Sequence, residues 1–226
     1  MFWYLLLLHM SRVYCNMVSK ILATTIVTLR NAFYLAIKPY KTMRMIASAP
    51  DVREALVLLA AFGGYFMYAS AIRTQTLDPI VVSSSFFRIF MFFLLTFMTT
   101  VGFMWVVGRI LKAFSMADPM SLHVSLVLSA YSLIPTLLWF LMTSVLYLLF
   151  PPPRYDTLLG TSLSMIFIVL SISILIWRLI LWYLTIRFSL RVQFMTIMVI
   201  MFIFVLWLVP YAFLMYYFNV FRIPFI

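Results

Sequence analysis

Long apolar runs separated by short polar breaks dominate the chain, and five of the runs are long enough to cross a hydrocarbon core, which takes roughly 20 apolar residues. They lie at residues 55–72, 86–108, 122–150, 159–182 and 192–217. The breaks ASAPDVRE, RTQTLDP, RILKAFSMADPM, PPPRYDT and RFSLRVQ are too short to hold a folded domain. Residues 18–37 have a different pattern. Val18, Ile21, Leu22, Ile26, Leu29, Phe33 and Ile37 recur at helical spacing with Lys20, Thr24, Thr28 and Asn31 opposite, and Lys38, Lys41 and Arg44 follow. That pattern predicts an amphipathic helix lying in the membrane interface. The opening MFWYLLLLHM has no basic flank and no small-residue cleavage site, so it does not read as a signal peptide.

The expected architecture is therefore all-α and polytopic: an N-terminal interfacial segment over 1–50, five transmembrane helices over 51–218, and a short tail over 219–226. Composition agrees. Of 226 residues 66% are hydrophobic and 9% charged, and the mean hydropathy is +1.15, values that belong to a membrane protein.

Charge sets the orientation. The net charge of +11 comes from 16 Lys and Arg against 5 acids. With five crossings and a cytoplasmic N-terminus, that side holds Arg12, Lys20, Arg30, Lys38, Lys41, Arg44, Arg53, Arg109, Lys112, Arg178, Arg187 and Arg191; Arg73, Arg88, Arg154 and Arg222 remain on the other. This imbalance predicts a cytoplasmic N-terminus, a C-terminus on the opposite side, and anionic lipid as a partner on the N-terminal side. No soluble stretch is large enough for a nucleic-acid module, so the basic charge does not imply nucleic acid.

The acids are Asp51, Glu54, Asp78, Asp118 and Asp156, all beside proline or at a predicted helix start. There they cap free N–H groups and complement the helix dipole. Read this way, none is left for the membrane interior, which argues against a proton relay or an intramembrane aspartyl protease. His9 and His123 do not form a haem pair, the single Cys15 reads as an inert thiol, and no nucleophile elbow, H-E-x-x-H helix or phosphate-cradling glycine loop is present. No catalytic residue, metal site or cofactor is expected.

Two features of the spans stand out. In SLHVSLVLSAYSLIPTLLWFLMTS, Ser121, Ser125, Ser129, Ser132, Thr136 and Thr143 fall at steps of four, four, three, four and seven, the spacing of one helix face. Hydroxyls on one face let helices approach closely and bond across the contact, so this is expected to be a packing face, with lining of a substrate path as the alternative. Pairs of small residues, Ala60 with Gly64 and Gly160 with Ser164, are the expected mates. Pro135 removes a backbone N–H and predicts a kink at the Tyr131 carbonyl. The second feature is Arg178, bracketed by Trp177, Trp182 and Tyr183, which reads as a snorkelling arginine in an aromatic belt.

The stretches KPYKTMRMIASAPDVREALVLL, SAYSLIPTLLWF and IWRLILWYLTIR resemble, in order and spacing, the opening segment, the tyrosine-to-proline motif and the tryptophan-bearing fourth span of the YIP family of Ypt/Rab-interacting membrane proteins. Prokaryotic members are the nearer likeness, and it covers roughly residues 37–217. The resemblance implies a polytopic membrane protein without catalytic residues that works with other membrane proteins in membrane organisation or trafficking. The acidic segment and polar N-terminal domain of the eukaryotic branch are missing, which argues against GTPase binding. Two other roles remain open: a membrane subunit of a transporter, and an accessory subunit of an energy-converting complex.

Overall fold

The computed structural model describes residues 2–74, 79–114, 121–149 and 158–217, with the side chains of residues 2–18 and of a few at helix ends left out of that description. The described residues are helical almost throughout, in the order α1 (Phe2–Ile37), α2 (Pro39–Ser48), α3 (Val52–Thr74), α4 (Pro79–Ala113), α5 (Leu122–Ser132), α6 (Ile134–Leu149), α7 (Leu158–Leu190) and α8 (Phe194–Tyr217). Among them are six stretches long and apolar enough to cross a membrane: 19–37, 52–72, 79–113, 122–146, 160–190 and 194–211. The chain is an all-α polytopic membrane protein. Five of these stretches match the predicted spans, and 19–37 is the addition.

Helix boundaries follow local chemistry. Pro39, at the first position of α2, has no N–H to leave unsatisfied there. Asp51 caps α3, its Oδ1 accepting the Arg53 N–H at 2.9 Å. Arg191 adopts φ 51°, the left-handed conformation that ends a helix, and its N–H reaches the Arg187 carbonyl at 3.0 Å, separating α7 from α8. The predicted third span divides at Leu133, whose N–H bonds three residues back to Ala130 at 3.1 Å. Pro135 follows as the second residue of α6 and leaves the Tyr131 carbonyl without its usual helical donor.

Packing centres on α5, most of whose residues are buried. Leu35 of α1, Met43 and Ile46 of α2, Ala55 and Leu58 of α3, Val101 of α4, Val124, Val127 and Leu128 of α5, and Leu181 and Leu184 of α7 form one cluster. Met104, Ile186, Leu190, Ile197 and Ile200 form a second that joins α4, α7 and α8. Gly63 of α3 faces the Phe90 ring of α4, where a Cβ would stand in contact at 3.4 Å. Beside it Phe62 stacks on Phe93 at 4.7 Å.

Outward-facing positions are apolar, as in a lipid-exposed surface. On α1 the polar side is divided, with Lys20 exposed and Thr24 half-buried. Ile21, Leu22, Ile26, Leu29, Phe33 and Ile37 are exposed, while Thr28 and Asn31 are buried against the bundle. Only the later part of the polar face is covered, where Glu54 and Tyr131 offer Asn31 hydrogen-bond partners.

Candidate functional site

Three helices bring a polar cluster together inside the bundle. Glu54 extends from the first turn of α3, Asn31 from α1 and Tyr131 from α5, at 8%, 4% and 0% exposure. The Tyr131 hydroxyl donates to Glu54 Oε2. Asn31 Nδ2 donates to the same oxygen at 3.2 Å and also approaches the Tyr131 hydroxyl at 3.4 Å. Thr28, one turn earlier on α1, donates to the Thr24 carbonyl at 2.8 Å and adjoins Tyr131. Asn31 Oδ1 is buried without a partner among the described residues.

The cluster corrects one step of the sequence reading. Glu54 occupies the third position of α3, where an acid is favoured by the dipole. Its carboxylate nevertheless turns inward to a phenol and an amide, leaving the capping to Asp51. A carboxylate is therefore present in the protein interior. Two donors satisfy it and, among the described residues, no cation pairs with it, an arrangement able to fasten three helices. Asp78, Asp118 and Asp156 lie outside the described residues. The signal available in sequence was the placement of Thr28 and Asn31, which put amide and hydroxyl on the face that later meets Glu54.

The hydroxyl stripe does not act as one face. Ser121 is exposed at the start of α5. Ser125 is buried and bonded to Ser189 of α7, and next to it Thr185 of α7 donates to the Leu128 carbonyl of α5 at 3.3 Å. Ser129 Oγ is buried with no partner among the described residues, and so is Thr136 Oγ1. Ser132 turns back to the Ser129 carbonyl at 2.7 Å, and Thr143 to Phe140 at 2.8 Å. The mate of the stripe is thus α7. Ala60 and Gly64 are exposed on the outer side of α3, and nothing lies within 4 Å of a Cβ at Gly64. Ser164 bonds its own helix at Gly160, at 2.9 Å.

Other hydroxyls pair helix with helix: Tyr65 with Ser144 at 3.0 Å, Thr96 with Tyr211 at 2.8 Å, and the Trp139 indole with Ser171 at 2.9 Å. Arg178 is half-buried midway along α7 and has no hydrogen-bond or ionic partner among the described residues. Trp177 packs against the main cluster, and Trp182 lies on Phe204 of α8 at 3.8 Å. Among the described residues, no group of three or more His, Cys, Asp or Glu side chains could hold a metal ion.

One end of the bundle gathers the cations. Arg187 of α7 lies 5.6 Å over the Tyr40 ring of α2, which places Lys38, Lys41 and Arg44 beside the end of α7. Arg109 and Lys112 of α4 meet the start of α5 and the end of α7 there as well. No family model matches this chain, and no curated protein or solved structure matches it either.

Proposed function

We propose that this chain is a non-enzymatic scaffold of the YIP type, which works by holding partner proteins within the bilayer. The observation that carries this reading is the use made of the polar side chains. Ser125 with Ser189, Thr185 with Leu128, Tyr65 with Ser144 and Thr96 with Tyr211 each tie one helix to another. The basic end faces the cytoplasm and anionic lipid, and the C-terminus lies on the other side. The N-terminal segment lies along the cytoplasmic interface. Its partners are other membrane proteins, with neither nucleic acid nor a GTPase among them.

A second reading, a membrane subunit of a proton-coupled transporter, is favoured by one observation: the carboxylate of Glu54 buried against Tyr131 and Asn31. The two separate in one experiment. Purification from native membranes in mild detergent, with quantitative mass spectrometry, should return a membrane partner at fixed stoichiometry. The purified chain in proteoliposomes should then show no proton flux. A chain that purifies alone and carries a flux abolished by Glu54→Gln would replace the scaffold with the transport reading.

A further inference from the structure

At the basic end, α4, α5 and α7 enclose a partly open cavity of about 240 Å³. Arg109 and Lys112 line it from the last turns of α4, Ser121 from the start of α5, and Ser125 from one turn deeper. None of the described lining residues is acidic. Arg109 rests over the Trp105 ring at 5.1 Å, which holds its guanidinium on the cavity side of α4.

Two cations three residues apart on one helix repel each other, and a concave wall concentrates their field. An anion between them relieves that repulsion. The hydroxyls add donors. Ser125 is only 4% exposed and is joined to Ser189. Two hydroxyls carry two hydrogens and their mutual bond uses one, so the pair has a second hydrogen to give to a ligand. At the start of α5 the Val124 and Ser125 N–H groups bond the Ser121 carbonyl at 3.0 and 3.4 Å, which leaves those of Leu122 and His123 without a helical acceptor. The volume lies below the roughly 300–1,000 Å³ of sites for drug-sized ligands, which suits a compact anion.

We propose that this cavity is a phosphate-binding site, occupied by free phosphate or by the phosphate of a lipid headgroup. The inference goes beyond the scaffold reading and does not depend on it, because guanidinium, ammonium and hydroxyl donors match a tetrahedral oxyanion whichever partner the chain serves.

Thermal unfolding of the detergent-purified chain, titrated separately with inorganic phosphate and with short-chain phosphatidylglycerol, tests the proposal. Stabilisation by phosphate alone identifies a soluble anion, by phosphatidylglycerol alone a lipid, and by both a site that takes the shared group. In each case R109Q/K112Q, checked for native helix content, should weaken the apparent affinity by about tenfold or more, because charge-assisted hydrogen bonds are lost. Gly108→Leu, a bulkier residue at a lining position that keeps both cations, should weaken it as well when native helix content is retained. Should neither probe stabilise the chain, or should R109Q/K112Q and Gly108→Leu both respond like wild type, the site is disproved.

Discussion

Tyr131 donates its phenolic hydrogen to the carboxylate of Glu54, so two residues 77 apart in sequence fasten α5 to α3 at the point where α1 also meets them. Replacing Glu54 with Leu strands the buried Tyr131 hydroxyl and leaves the Asn31 amide only its 3.4 Å contact with that hydroxyl. An orphaned group costs about 1–3 kcal/mol, so Glu54→Leu should be strongly destabilising. Tyr131→Phe leaves the buried Glu54 carboxylate with the Asn31 amide alone and should cost about 1.5–3 kcal/mol. A double-mutant cycle on thermal stability should return a coupling of about 0.5–3 kcal/mol; strict additivity would mean that the pair does not hold the helices.

Ser129 is the sharpest probe of the α5 face. Its hydroxyl is buried and unpartnered among the described residues, so Ser129→Ala should be neutral or raise the melting temperature by about 2–4 °C, the equivalent of about 1 kcal/mol. Ser129→Leu adds volume at a packed contact and should cost about 1–3 kcal/mol. A leucine variant as stable as wild type would show that the site is open and would favour a lined path.

Topology is checked by labelling single cysteines introduced into a cysteine-free background. Positions 112 and 191 should react from the cytoplasmic side and position 154 from the other. Reaction of position 154 from the cytoplasm alone would reverse the assignment.

The N-terminal segment has its own test in the same assay. The stretch Ser19–Ile37 is long enough to cross, but Lys20 at one end, Arg30 within it and the cluster Lys38, Lys41 and Arg44 just beyond it favour both ends on the cytoplasmic side. A cysteine at position 19 should therefore react from the same side as one at position 112. Reaction from the opposite side would establish a sixth crossing and move the N-terminus to the C-terminal side.

Hydrophobic run length made the membrane helices legible, because in lipid every backbone polar group must be satisfied within its own segment. Helix starts were legible where the capping chemistry is local, as at Asp51. What escaped was the direction of polar side chains. Thr28 and Asn31 look like a solvated face when α1 is read alone. Only the packing of α1 on α3 and α5 supplies the carboxylate and phenol that turn them inward. Glu54 was misread for the same reason, since its position in α3 satisfies a local rule while its side chain answers a distant tyrosine. The hydroxyl stripe was visible as a periodicity, but the identity of its mate was not. Ser189 and Thr185 lie some sixty residues downstream and share no pattern with it.

The turn at Leu133 also changes how the third span passes on rotation. Up to Ser132 the helix is keyed to α7 by the Ser125–Ser189 pair. Beyond Leu133, α6 is keyed separately, to α3 by Tyr65 with Ser144 and to α7 by Trp139 with Ser171. Lengthening or shortening the chain here by one residue would swing one half about 100° against the other, and one set of keys would fail while the other held. The span thus behaves as two short screws set end to end, their threads aligned by the single residue between them.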